Sequence, residues 1–400
     1  MKTESHSSST NILTIGLAIF AMLFGAGNII YPIKAGVMAG DLNWAGMLGF
    51  ILTGVFLPIV GLVAMVLFEG DYQKFFARIG RIPGAIAIGY CLFIIGPMLA
   101  MPRGITVPYD IIKTFLPAWL TLPVFSISFV CITFFLTYKE TSILSNLGKF
   151  ISPIKIGSLA IIIAKGLWQA ESLLPATTSA MTVFTEQLGH GFQTLDLLGS
   201  LFFAYIVIRI LKQTSGNDVP TKQLAQQTLK GGLVASAILI TAYLGLSFLA
   251  AYHSNLVSPD QNGAEIFKTI GLHVVHHFGM FIMIVAVVMS CLSTVTALAA
   301  VFAEYLRGQV FNNKICYTTA LVITLAATAF FSNFGLSNIL KYGEHPIMIG
   351  YPIIIAITVF NIAYKLFDFK PIKAPVAIIG TITTGLYIHS HLAEIMALFA

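Results

Sequence analysis

Charged residues are scarce in this chain. Asp, Glu, Lys and Arg make up 10% of its 400 residues, against about a quarter in soluble globular proteins. Hydrophobic residues make up 57%, and the mean hydropathy is +0.89. That balance excludes a water-soluble domain, and no basic tract with interleaved aromatics suggests a nucleic-acid partner. Cysteine is sparse too: Cys91, Cys131, Cys291 and Cys316 lie in or beside apolar stretches without Cys-x-x-Cys spacing, which argues against a disulfide framework or a zinc site. Catalytic signatures are missing as well. There is no Gly-x-Ser-x-Gly, no His-Glu-x-x-His and no pair of carboxylates inside an apolar stretch, so a membrane enzyme would lack its nucleophile or metal constellation. Glu69 and Glu304 lie near the ends of their stretches, which excludes the acidic relay of a dedicated proton pump.

What the chain has instead is long apolar runs. About 20 such residues cross the hydrocarbon core as helix, and eleven stretches qualify: 11–35, 44–68, 84–102, 121–138, 148–168, 196–212, 230–253, 277–303, 314–331, 345–366 and 374–398. The expected fold is therefore an all-α polytopic membrane protein, one transmembrane domain over 1–400 with no soluble domain between spans. The first stretch exceeds a signal-peptide core and no small-residue cleavage site follows it, so it reads as a retained helix. Sixteen of the 22 basic residues fall in one alternating set of loops and six in the other. The excess predicts a cytoplasmic N-terminus and an outward C-terminus. The net charge of +6 and pI near 9.0 then reflect contact with anionic lipid headgroups.

Residues 20–36 carry the most informative local feature, Gly25-Ala26-Gly27-Asn28 inside the first apolar stretch with Pro32 four residues on. Glycine and proline weaken a helix, and lipid tolerates unwound backbone only where protein or a water-filled cavity satisfies the freed groups. Freed amides at a half-helix N-terminus suit a carboxylate, and freed carbonyls suit a cation. The competing reading is that the glycines permit close helix packing.

The long outward loop 169–195 separates the fifth stretch from the sixth. Two halves of five helices, 1–168 and 196–366, must be inverted relative to each other because five is odd, with 374–398 a peripheral addition. Inversion requires a second break in the sixth stretch, where Gly199 and Ser200 interrupt an apolar run.

Other polar residues extend the picture. Ser293 and Thr294 lie deep in the eighth stretch and offer hard oxygen to a small cation, or bond back to their own helix. Lys155 follows Pro153 in the fifth stretch. It either snorkels to the interface or brings its ammonium to the cation position and exchanges a proton there. Arg103 and Asp196, near the outer ends of stretches three and six, are candidate gate residues or water-boundary markers. His273, His276 and His277 read as an interfacial cluster, because no acidic or cysteine partner sits at a matching offset for a metal.

These segments together resemble the bacterial branched-chain amino acid:cation symporters, the BrnQ-type carriers. The resemblance rests on Phe24-Gly25-Ala26-Gly27-Asn28-Ile29-Ile30-Tyr31-Pro32, Gly96-Pro97-Met98-Leu99-Ala100-Met101-Pro102-Arg103, Pro153-Ile154-Lys155, Leu195-Asp196-Leu197-Leu198-Gly199, Asn262-Gly263-Ala264 and Ser332-Asn333-Phe334-Gly335-Leu336-Ser337, in order along nearly the whole chain. It implies a leucine-transporter-like fold with substrate held between broken helices one and six, in a bacterial inner membrane. By that analogy Leu23, Gly25, Ala26, Gly27 and Asn28 meet the substrate, Leu23 and Gly27 through their backbone at its carboxylate. Phe203 and Ala204 line the side-chain pocket, and the Ala21 and Phe24 carbonyls join Ser293 and Thr294 around sodium. Two departures stand out: the family usually has twelve spans where eleven are seen here, and often a double threonine where Ser293-Thr294 stands. The expected function is import of leucine, isoleucine or valine by symport, with no cofactor beyond the coupling ion. The hydroxyls favour sodium, and Lys155 keeps the proton open. Methionine is an open alternative substrate, and a channel or receptor is the reading from another class.

Overall fold

A computed structural model describes residues 4–138, 151–170, 172–176, 178–215, 220–258 and 260–390. Lys2, Lys139, Lys149 and the far ends of stretches five and eleven lie outside the described residues, as do the side chains of Arg209, Lys212 and His277. Helix occupies every one of the eleven apolar stretches, and no strand occurs among the described residues. In hydrocarbon an open backbone donor or acceptor costs several kcal/mol, so local helical pairing is the available solution for one chain segment.

In chain order the helices are α1 (Glu4–Leu23), α2 (Gly27–Ala39), α3 (43–67), a short α4 (Tyr72–Ala77) and α5 (81–112). They continue with α6 (Leu122–Thr137), α7 (Ser152–Trp168), α8 (Ala180–Phe192), α9 (Asp196–Ser215) and α10 (Thr221–Tyr252). Last come α11 (Gly263–Tyr305), α12 (Tyr317–Ser332), α13 (Leu336–Phe367) and α14 (Lys373–Ser390). Among the described residues six runs are long and apolar enough to cross a membrane: Gly27–Leu67, Arg81–Phe115, Ala180–Ile208, Thr221–Tyr252, Gly279–Val310 and Leu336–Phe367. Ile12–Leu23, Leu122–Thr137 and Tyr317–Ser332 are shorter apolar helices.

The sixth stretch differs from its expectation. Residues 180–192, read as outward loop, form α8, and the break falls at 193–195 rather than at Gly199 and Ser200. Leu195 takes a left-handed conformation with φ +66°, which ends the first half. Asp196 opens the second half, where a helix N-terminus favours a carboxylate. Gly199 and Ser200 are helical; the Ser200 hydroxyl donates to the Leu197 carbonyl at 2.8 Å, and the Phe203 ring packs 3.1 Å from where a Gly199 Cβ would sit. Helix α8 reads as loop in the sequence because Glu186, Gln187 and His190 dilute its apolar pattern.

Two more spans outgrow their expected limits. Helix α5 kinks at Gly96, which precedes Pro97, and runs on to Ile112, so Arg103 lies well inside it rather than near its end. Helix α11 starts at a capping box of Asn262 and Glu265 and turns sharply at His276, φ +53°.

Packing couples the two broken pairs. Helix α10 lies along both α1 and α2, while α3 lies along both α8 and α9, and α11 packs on α5 and α7. Absent side chains allow the close approaches. A Cβ on Gly36 of α2 would fall 2.0 Å from the Ser247 carbonyl oxygen of α10, and one on Gly49 of α3 would fall 2.3 Å from the Phe184 carbonyl oxygen of α8.

Candidate substrate and cation site

The first break frees backbone groups on both sides, and their partners define two subsites. Helix α1 ends at Leu23 and α2 begins at Gly27. The Gly25 amide donates to Asn28 Oδ1 at 2.8 Å, so the asparagine caps the break from within. Among the described residues nothing accepts from the amides of Ala26, Gly27 and Asn28. These three N–H groups form the positive end of α2.

The carbonyls turn the other way. Lys155 Nζ on α7 donates to the carbonyls of Ala21 and Phe24, each at 3.1 Å, and lies 3.2 Å from Ser293 Oγ. Its ammonium also rests 4.7 Å from the Phe20 ring centroid and 5.5 Å from that of Phe24, faces that attract a cation. Three donors thus meet three oxygens, and Lys155 is fully buried rather than snorkelling. Ser293 Oγ is also 3.0 Å from the Ala21 carbonyl. Thr294 does not join this cluster; its hydroxyl donates to the Met22 carbonyl at 3.1 Å. A Cβ on Gly25 would stand 2.8 Å from Thr294 Oγ1, so glycine lets α11 seat against the break.

Between the two breaks lies a small cavity of about 30 Å³, room for a water molecule or two rather than for a whole amino acid until its walls part. Leu23, Gly25, Ala26, Gly27 and Asn28 line it from the first break; Thr194, Leu195, Asp196, Gly199 and Phe203 line it from the second. Ile95, Ala100 and Arg103 of α5 and Thr294 and Leu298 of α11 close it. Ala204 is buried but stands outside this lining. Arg103 and Asp196 are 2% and 4% exposed. They sit in the cavity wall rather than at an outer rim.

Tyr243, Gln193 and Tyr351 join the site without any motif that marks them in the sequence. Asp196 Oδ2 accepts from Asn28 Nδ2 at 2.5 Å and from the Tyr243 hydroxyl at 3.1 Å, while Asn28 Nδ2 also meets that hydroxyl. Tyr31 and Gln193 hold Arg103, and the Tyr351 hydroxyl accepts from the Leu197 amide at 3.1 Å. The signal for the tyrosines was a hydroxyl inside an apolar helix, which needs a partner when buried.

The family profile for "Branched-chain amino acid transport protein" matches residues 8–398. The chain belongs to this family. It resembles the branched-chain amino acid permease BraB of Bacillus subtilis, 29% identical over 92% of this chain and 83% of that one. It also resembles the permease BrnQ of Escherichia coli, 29% identical over 88% and 80% of the two chains. Among solved structures, a nucleobase-cation-symport-1 family transporter in a closed conformation superposes with TM-score 0.62 at 14% identity, over 90% of this chain and 79% of its own. The transporter MhsT in complex with L-phenylalanine gives 0.57 at 14% identity, over 92% and 98%. This family member accordingly has the leucine-transporter-like fold. It is a multi-pass bacterial membrane protein of amino acid transport, not an enzyme.

Proposed function

We propose that this chain imports leucine, isoleucine and valine across the bacterial inner membrane by alternating access, with its N-terminus in the cytoplasm and Lys155 as the coupling group. The observation that carries the substrate reading is the cavity between the breaks. Free amides of Ala26, Gly27 and Asn28 offer an anion site on one wall, while Ile95, Phe203 and Leu298 offer apolar surface on the others. An apolar pocket separates side chains by about 1–3 kcal/mol per methylene, so valine and methionine compete with leucine within a few hundredfold.

Lys155 supports proton coupling. Its ammonium lies among the oxygens at which a cation was expected, joining α7 to the end of α1 and to α11. Loss of the proton turns three charge-assisted bonds into weak ones and frees those elements to move. A second reading is sodium coupling. It is favoured by the same convergence of the Ala21 and Phe24 carbonyls with the Ser293 hydroxyl, hard ligands that suit sodium once Lys155 turns aside.

Uptake into proteoliposomes separates these readings. With the proton reading, an inward proton gradient drives accumulation of labelled leucine, unlabelled isoleucine and valine compete, and Lys155→Ala abolishes accumulation while leaving leucine exchange. With the sodium reading, a sodium gradient drives it and Thr294→Ala or Ser293→Ala raises the sodium needed for half-maximal uptake. If neither gradient stimulates uptake of leucine, valine or methionine, the symport reading fails.

A further inference from the structure

Two ionisable side chains of opposite sign, Asp196 and Arg103, face the cavity, and among the described residues neither has a partner of opposite sign within 4 Å. Asp196 is 4% exposed, and its hydrogen bonds come from neutral donors, Asn28 and Tyr243. Arg103 is 2% exposed; Nη1 donates to the Tyr31 hydroxyl at 3.2 Å and to the Gln193 carbonyl at 2.9 Å, and Nε has no partner. No ion pair within 4 Å joins the two among the described residues, although both line the one cavity. The third buried charge, Lys155, is engaged with three oxygens and two rings. Burying a charge without an opposite partner is strongly unfavourable. A cavity that presents one of each sign, not paired with each other, is complemented by a ligand carrying both.

We propose that Asp196 receives the α-ammonium, and Arg103 the α-carboxylate, of a zwitterionic amino acid, so that the pair defines specificity for both charged ends. This rests on the amino acid transport reading and adds to it the residues that read the backbone of the substrate. The poles are oriented by position. Arg103 Nη2 lies 3.0 Å from where a Gly27 Cβ would sit, beside the free amides of Ala26, Gly27 and Asn28, so guanidinium and helix end form one anion pocket. Asp196, at the start of the second half-helix and bonded to Asn28, marks the other pole. The substrate side chain is left facing Phe203 and Leu298. Arg103 and Asp196 are thereby substrate-binding residues, not an outer gate.

The test is competition against labelled leucine on the purified full-length protein, using 4-methylpentanoate, which lacks the ammonium, and 3-methylbutylamine, which lacks the carboxylate. On the wild type each analogue should compete at least about 30-fold more weakly than leucine, as expected for leaving a buried charge unpaired. D196N should close the gap between leucine and 4-methylpentanoate while keeping the gap to 3-methylbutylamine; R103Q should do the reverse. Asp196→Glu and Arg103→Lys keep the charges and should retain both gaps, which covers a neutral variant that fails to fold. An analogue that competes as well as leucine on the wild type overturns the proposal, and so do variants that weaken all three ligands alike. Absence of leucine binding to the wild type overturns the leucine reading instead. Thermal-shift measurements with other zwitterionic amino acids and their two truncated analogues then decide the proposal on the same ratios.

Discussion

Asn28 is the residue on which the first break depends. Its two amide ends do different work: Oδ1 takes the Gly25 N–H, and Nδ2 serves Asp196 and Tyr243. Asn28→Asp keeps the shape and the acceptor but sets a second carboxylate against Asp196 where a donor stood. Like charges in a site of low dielectric repel, and a lost hydrogen bond to a charged group costs about 1.5–3 kcal/mol. We expect leucine affinity to fall by at least about tenfold, measured by equilibrium binding at matched amounts of folded protein; affinity equal to wild type would remove Asn28 from the network. The sequence marks this residue, since an asparagine directly after Gly25-Ala26-Gly27 in an apolar run has few bland explanations. It did not announce Tyr243, 215 positions away. A tyrosine in an apolar helix is ordinary until the fold shows what its hydroxyl meets.

At the scale of elements, the two broken pairs show how legibility depends on composition. The first was plain because Gly25 and Gly27 disrupt an otherwise apolar run. The second break is hidden in the sequence because no glycine occupies 193–195; Leu195 itself takes the left-handed conformation, and α8 reads as a polar loop. Tertiary burial, not propensity, makes α8 a helix: α3 packs along it, with Gly49 and Gly191 admitting the close contact. The same packing logic gives a prediction at Gly36. Valine there drives side-chain atoms into the Ser247 carbonyl of α10, and overpacking costs about 1–3 kcal/mol. Gly36→Val should lower the thermal unfolding midpoint of the detergent-solubilised protein, while a midpoint unchanged from wild type would contradict the α2–α10 contact.

For the whole molecule, the basic residues make a claim about orientation that helix packing does not address. The excess of Lys and Arg in one set of loops predicts that an epitope at the N-terminus is reached by antibody only after the membrane is permeabilised. Labelling in intact spheroplasts would reverse the topology and, with it, the direction assigned to import. Membrane class, an all-helical domain and the first break followed from the sequence alone, because hydrophobic length and glycine placement act locally. The family resemblance added the transport reading. What only the tertiary structure decided was where charges meet. Lys155 lies 134 positions from Ala21 and 138 from Ser293, and Arg103 and Asp196 moved from expected rims into one cavity because α5 runs on past Arg103 and the second break falls just before Asp196. Apolar periodicity places helices. The pairing of buried polar atoms across them depends on how those helices cross, which no local stretch of sequence encodes.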